Sequence, residues 1–390
     1  MKKSILLLIP GSPYPPINGH KLKIYNLIKI LSKYFDLRII TISRNSLSID
    51  EINFINQNSV NSHHVKLNLF TAVINAVFNF LFFYKPLQVG FYKSSRLKNI
   101  LNRYENETDY IFFNLVRTGE YINYFNNKFK VFDMVDLLSD SYKRSYSNTS
   151  SIFHKIFYKL EISRLIKYEQ YLIKTANLTI AVNEDEVYSI EKFGNVKWIP
   201  NGVNPILFSY GKTSDEFVNS IAFIGAMHYQ PNIDAILWLD KYVLDFINPS
   251  IRFYIVGSNP SSQVLSVARK RKNVLVTGFL DDPYEILNSC NAVVSPMQNG
   301  GGIQNKILES MALGKINILT SVCSKPIKGG QHLEHFIVED DPMNFAKLIN
   351  EVCLNSEKFD RIGENAKDLI LNYYTWNSYE KILLRELNKQ

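Results

Sequence analysis

The sequence is poor in cysteine: only Cys290, Cys323 and Cys353, all in the second half of 390 residues. A sparse, odd count excludes a disulfide framework and fits a reducing compartment. No apolar run reaches the ~20 residues needed to span a bilayer. The longest, Phe70 to Tyr84, is interrupted by Asn75 and Asn79. Ile5 to Ile9 runs into Pro10-Gly11. It is shorter than the ~7–15 residues of a signal-peptide core, so it is read as a buried first strand of a cytoplasmic protein. There is no Asp-x-Asp pair and no Cys/His cluster with zinc spacing. His63-His64 lies in a polar stretch and is expected at the surface. No Gly-x-Gly-x-x-Gly follows the first strand, which argues against a dehydrogenase.

Acidic residues are also unevenly missing. None occurs between Glu51 and Glu105, whereas Lys66, Lys85, Lys93, Arg96, Lys98 and Arg103 do. The first 195 residues hold 25 Lys and Arg against 16 Asp and Glu, and the second 195 hold 19 against 20. The net charge of +8 therefore belongs to the first half. Such an excess points to an anionic partner: a membrane surface, a nucleotide or a nucleic acid.

What is present is ample apolar material, 46% of residues, arranged as short apolar runs alternating with longer amphipathic segments. Strands are predicted at 5–9, 37–42, 110–113, 130–134 and 178–182. In the second half they are predicted at 220–224, 252–256, 274–277, 292–295 and 316–319. Helices are predicted at 19–34, 68–83, 91–104, 117–127 and 152–175. A second set is predicted at 231–246, 261–270, 282–289, 303–313, 343–356 and 357–372. Repeated strand–helix units with fully apolar strands imply parallel sheets in two doubly wound α/β domains. Residues 197–216, with Pro200, Gly202, Pro205 and Gly211, read as the linker. The domains are then 1–196 and 217–372, followed by a C-terminal helix within 373–390 expected to pack back on the first domain.

The strongest local signal runs from Ser295 to Gly314. A buried strand leads into Gly300, Gly301 and Gly302, then Ile303 and a helix carrying Lys306 and Glu309. Glycines let backbone N–H groups approach a phosphate, and a helix N-terminus adds partial positive charge. Lys306 and Glu309, three apart, share a face. The lysine can offset diphosphate charge and the glutamate can accept hydrogen bonds from ribose hydroxyls. The alternative is a glycine loop beside a solvated Lys/Glu pair.

That stretch resembles the donor-nucleotide motif of family-4 glycosyltransferases, especially those assembling exopolysaccharide, capsule and O-antigen. Residues 221–238 resemble the start of that family's second domain, and Trp198 to Asn204 its Pro-Asn-Gly-Val-Asp linker. Residues 131–139, Tyr168-Glu169 and 182–185 resemble the latter half of its first domain. The resemblance implies the GT-B fold: two Rossmann-like domains facing across a cleft, with donor on the second and acceptor on the first. There are departures. Many members carry a glutamate where this chain has Gly301, and Arg and Lys where it has Met227, His228 and Tyr229. Diphosphate charge must then be met elsewhere, with Lys306 the leading candidate.

On this basis the donor-binding set is Asn18, Gly19, Gly225, His228, Gly257, Gly278, Phe279, Gly300, Gly301, Gly302, Ile303, Lys306 and Glu309. Gly225, Gly257 and Gly278 each end a strand, where open α/β sheets bind ligands, although any one alone is also an ordinary turn. The loop Pro10 to His20 is either a bland connection or faces donor phosphates and acceptor. Asp133 and Asp136, near the end of an apolar strand, are candidates on the acceptor side, with Asp136 expected to orient the acceptor hydroxyl or take its proton. Their alternative is loop capping. Asp136, Lys306 and Glu309 form the expected catalytic set. Arg117, Lys93, Arg96 and Lys98 are assigned to acceptor or membrane. Apolar faces at Val73, Val77, Phe78, Leu81 and Phe82, and at Ile152, Phe153, Ile156, Phe157 and Leu160, lie near lysines. They suit either core packing or docking on anionic lipid.

The resulting expectation is a retaining, metal-independent enzyme with no cofactor. It moves a hexosyl group from a nucleotide sugar to a glycan or lipid-linked glycan in bacterial surface polysaccharide synthesis, peripheral on the inner face of the plasma membrane, with no nucleic-acid partner. The alternatives are a non-catalytic sugar-nucleotide-binding or scaffolding subunit, and a sugar-nucleotide epimerase of the same fold.

Overall fold

The computed structural model describes residues 2–16, 19–149, 151–298 and 302–389. Two units divide between Ile199 and Pro200. Each unit is built on a parallel sheet whose strands are short apolar runs with helices between them.

In the first unit the strands are β1 (Ser4–Ile9), β2 (Asp36–Ser43), β3 (Asn61–Lys66), β4 (Tyr110–Asn114), β5 (Phe129–Val135), β6 (Leu178–Ala181) and β7 (Val196–Trp198). Their spatial order is β3-β2-β1-β4-β5-β6-β7. Every pairing is parallel. The chain winds outward from β1 in one direction and from β4 in the other, so β1 and β4 flank the topological switch point. Strands β1, β4 and β5 are buried on both faces, which is why they read as unbroken apolar runs.

Two strands escaped the sequence pattern. β3, Asn-Ser-His-His-Val-Lys, is polar because it lies at the sheet edge. His63 and His64 are therefore strand residues, not loose surface side chains. His63 bonds the Tyr104 hydroxyl at 2.7 Å and His64 the Thr41 hydroxyl at 2.8 Å. β7 includes Lys197 and Trp198, so the first sheet takes in residues assigned above to the linker.

The second unit holds β8 (Ser220–Ile224), β9 (Arg252–Val256), β10 (Val274–Gly278), β11 (Ala292–Ser295), β12 (Ile316–Leu319) and β13 (Ile337–Val338). Their order is β10-β9-β8-β11-β12-β13, again all parallel. Here β8 and β11 flank the switch point. The C-terminal helix Trp376–Asn388 is counted with this unit.

One helix breaks the usual rule that bulky apolar residues face inward. Leu69–Phe82 buries only Ala72, Ala76 and Asn79. That small face meets the helix Leu87–Phe91 so closely that a Cβ on Gly90 would stand 2.9 Å from the Ala76 Cα. Its large residues point out: Phe70 is 74% and Phe82 71% exposed. The first half of the helix Ile152–Thr175 does the same, with Phe153 79% exposed. The core reading of these two apolar faces is thereby excluded.

Candidate functional site

The second unit gathers its chemistry at the C-terminal ends of β8 and β11. Lys306 sits on the helix Asn305–Ala312 that follows the glycine loop. Its ammonium lies 4.1 Å from the centre of the Phe223 ring of β8 and 3.7 Å from Met297 Sδ just after β11. It donates to Asn232 Oδ1 at 2.8 Å. The lysine therefore spans the switch-point crevice between the two strands. Asn232 is fixed in turn by donating Nδ2 to the Ala226 carbonyl at 2.9 Å. Gly225 leaves room for that amide, since a Cβ there would stand 2.5 Å from Nδ2.

No carboxylate pairs with Lys306 among the described residues. Burial pushes its pKa down to about 7, although part of its surface remains accessible. Gly257, at φ +150°, closes its back wall, and a Cβ would stand 1.7 Å from the Gly225 carbonyl oxygen, so only glycine fits.

Glu309, one turn beyond Lys306, is reached by the Tyr284 hydroxyl, which donates to it, and burial raises its pKa to about 7. Gly278 has φ +72° and open space around it, and Phe279 beside it is 73% exposed. An exposed ring at the end of β10 is suited to stacking on a planar base. His228 is exposed, and Gly302, at φ +71°, ends the glycine loop. Gly300, Gly301 and Asn18 lie outside the described residues. Gly19 opens the first helix of the other unit and is exposed.

The first unit carries a second polar cluster, beside its own switch point. The Lys23 ammonium and Asp133 carboxylate form an ion pair with both side chains wholly buried. Asp133 also accepts from Asn114 Nδ2 at 3.1 Å. It lies inside β5, so the expectation that it faces an acceptor is corrected: Lys23 and Asn114 occupy its oxygens. His20 Nε2 is 2.9 Å from Asn114 Oδ1. Because the Asn114 amide nitrogen serves Asp133, its oxygen must accept, so His20 carries its proton on Nε2 and presents a bare Nδ1. Burial holds the imidazole pKa below its ordinary value, so the ring is neutral at pH 7. His20 lines a polar cavity of about 420 Å³ with the loop Pro10–Pro13, Arg44 and Tyr92. Lys23 and Asn114 were not anticipated. Each reads as an ordinary residue until the fold brings it to a partner far away in sequence.

Asp136 stays exposed, and crowding by surrounding protein raises its carboxyl pKa. Val135 before it sits at φ +67° and Leu115, after β4, at φ +62°. Left-handed backbone at branched residues costs about 1–3 kcal/mol and clusters where geometry is held for function. Beyond Asp136, the helix Leu138–Asn148 has no side-chain cap of its own. Glu186 accepts from the Leu137 N–H at 3.0 Å and Glu169 from the Ser139 N–H at 3.1 Å. Burial, with Asp136 nearby, lifts Glu186 to about 8, and burial lifts Glu169 to about 7.

The remaining cations divide. Lys93 is 3.8 Å from Glu120, which also pairs with Lys85 at 2.7 Å, so Lys93 is not the free charge expected. Arg96 is exposed, as is Lys98, whose ammonium lies 5.2 Å from the Tyr124 ring. Arg117 donates Nε to Gln88 Oε1 at 2.8 Å. Among the described residues no group of His, Cys, Asp and Glu could hold a metal ion.

Solved structures share this architecture. HepE of Anabaena in complex with UDP superposes with a TM-score of 0.69 at 14% identity, over 99% of this chain and 100% of that one. The same protein has been solved with UDP-glucose. Sucrose-phosphate synthase of Thermosynechococcus elongatus gives 0.69 at 14% identity, over 99% of each chain. A glycosyltransferase of Rickettsia africae gives 0.66 at 15%, over 100% of this chain and 98% of its own. The fold is GT-B. No curated protein matches in sequence. Residues 218–355 match the family model of the group 1 glycosyl transferases. The matched segment lies within the second unit. Lys306, Glu309 and the glycines that end β8, β9 and β10 all fall inside the matched segment.

Proposed function

We propose that this glycosyltransferase binds a nucleotide sugar on its second unit and transfers the hexosyl group to a glycan or lipid-linked glycan of the bacterial surface, with retention and without a metal. The observation that carries the donor site is Lys306, an ammonium held at the switch point by an amide and an aromatic ring, with no carboxylate among the described residues to neutralise it. A diphosphate supplies the missing charge, and Lys306 then stabilises the charge that develops on the leaving group. Glu309 accepts from the ribose hydroxyls, and Phe279 offers its ring to the base. HepE, of the same fold, has been seen with UDP and UDP-glucose, which makes uridine nucleotides the first donors to test. Asp136 orients the acceptor hydroxyl, and His20 presents Nδ1 in the neighbouring polar cavity.

We assign membrane contact to the first unit. No described helix is long and apolar enough to cross a bilayer. Exposed Phe70, Phe78, Phe82, Phe153 and Ile156, with Arg96, Lys98, Lys155 and Lys159 also exposed, suit docking on the anionic inner face of the plasma membrane. Each basic residue contributes about 1 kcal/mol there.

Incubation with a panel of nucleotide sugars, with and without lipid extract, tests the reading. Nucleoside diphosphate released only with acceptor supports transfer. Binding without turnover across the panel would replace it with a scaffolding subunit, and interconversion of free nucleotide sugars with an epimerase. Reversing Arg96, Lys98, Lys155 and Lys159 to Glu should abolish sedimentation with anionic vesicles at equal salt; persistent binding refutes the docking face.

A further inference from the structure

Under the helix Leu69–Phe82 runs a second cavity, of about 470 Å³, that no step above uses. That volume lies within the ~300–1,000 Å³ of small-molecule sites. Val73 and Val77, one turn apart, form one wall, and Leu87 and Phe91, one turn apart, form another. Its lining is mostly apolar, with Gln88 and Arg117, bonded to each other, among its polar members. Gln88 donates Nε2 to the Tyr142 hydroxyl at 2.9 Å and accepts from Arg117 Nε at 2.8 Å. The guanidinium is thereby fixed in place with its Nη edges left over, and no carboxylate pairs with it among the described residues.

Two observations connect this groove to the polar cavity of His20. Tyr92 lines both. The Arg117 guanidinium stands 5.8 Å from the centre of that Tyr92 ring. An apolar slot that carries an arginine and shares Tyr92 with a polar cavity is the complement of a molecule with a hydrocarbon chain, an anionic link and a sugar. The segment from Ile52 to Tyr104, which supplies most of the slot, contains no acidic residue; the carboxylate beside it, buried Glu161, is occupied by the Leu87 N–H at 2.7 Å.

We infer that this groove holds the chain of a lipid-phosphate-linked acceptor, with Arg117 binding the phosphate and the glycan entering the cavity lined by His20. The inference rests on the transferase reading and deepens it by assigning the acceptor's anchor. It differs from docking on a bilayer, because the chain leaves the membrane for a protein slot.

The test uses the full chain and a short monomeric lipid, farnesyl phosphate, below its micellar concentration and without vesicles. Calorimetry should show binding, at least tenfold tighter than inorganic phosphate. Arg117→Gln should weaken farnesyl phosphate at least tenfold and leave farnesol unchanged. Val77→Trp, at a half-exposed position that can take bulk, should fill the slot and weaken both at least tenfold. UDP affinity, measured on each variant, reports folding and the donor site separately. If UDP fails to bind, the donor reading falls. If UDP binds but Val77→Trp leaves farnesyl phosphate affinity unchanged, or phosphate alone binds equally well, or the lipid binds only in vesicles, the groove assignment is overturned.

Discussion

Lys306 offers a proton-linked test of the donor site. Its pKa is pushed down to about 7 by burial, so at pH 8.5 the unliganded lysine is largely neutral. A phosphate oxygen at about 4 Å, with an effective dielectric of 20, attracts an ammonium by about 4 kcal/mol. At 1.36 kcal/mol per unit, that lifts the pKa by roughly three units. Binding at pH 8.5 should therefore draw close to one proton from solution, and UDP affinity should fall nearly tenfold per pH unit above about 7. Glu309 also titrates near 7 but is ionised at pH 8.5 with or without ligand, so it contributes no linked proton there. Burial raises the Cys323 thiol, which stays protonated. In the unliganded protein this lysine acts in the opposite sense. The unfolded chain binds the lysine proton up to about pH 10.5, whereas the folded one releases it near 7, so this lysine's own contribution to stability rises with pH across that window and is read as the difference from Lys306→Met, because Glu186 and the buried thiols pull the other way. Calorimetry in two buffers of different ionisation enthalpy counts the proton, and Lys306→Met should abolish the slope in UDP affinity. A flat UDP affinity from pH 7 to 9, or a slope that survives in Lys306→Met, refutes the placement of diphosphate beside this lysine.

Other substitutions probe the frame around both clusters. Glu309→Gln should weaken UDP about tenfold and leave inorganic pyrophosphate unchanged, because only the nucleotide carries ribose hydroxyls; equal losses by calorimetry would place Glu309 elsewhere. Gly257→Ala drives a Cβ to 1.7 Å from the Gly225 carbonyl oxygen, and denaturant melts should show at least about 3 kcal/mol of lost stability. Lys23→Met should cost about 3–5 kcal/mol by leaving Asp133 buried without a countercharge, whereas Lys23→Met with Asp133→Leu should recover most of it. A double variant as unstable as the single one would show that packing, not charge, dominates.

How much of this could be read from the sequence follows from where the information lies. Buried parallel strands are apolar on both faces, so β1, β4, β8 and β11 announced themselves as runs. β3 did not, because an edge strand is half wet and its His63-His64 pair satisfies polar neighbours. Lys306 and Glu309 were legible because their relevance is local: glycines, a helix start and two side chains three apart. Lys23 and Asp133 were not, because they lie 110 residues apart and only the order β1-β4-β5 brings them together. Exposure of the Leu69–Phe82 helix could not be read from its composition, since an apolar helix is ordinarily buried. Its orientation was set instead by Gly90, a short-range steric contact that admits only the small face.

The two units use one topology to opposite electrostatic ends. Each brings a lysine near the C-terminal ends of its central strands. In the first, Lys23 is cancelled by Asp133, and the cluster is spent on holding Asn114 and, through it, the tautomer of His20. A neutral ring presenting a lone pair suits a hydroxyl and offers little to a diphosphate. In the second, the partners of Lys306 among the described residues are an amide oxygen, a ring face and a sulfur, all weakly electron-rich and none charged. Such partners keep an ammonium positioned without neutralising it, and burial depresses its pKa. The net charge of the units misleads on this point: the first is basic overall, yet its central cation is paired, while the nearly neutral second keeps its cation unpaired. The donor anion is therefore assigned by the local pairing of one lysine, and the basic excess of the first unit is left to the lipid side.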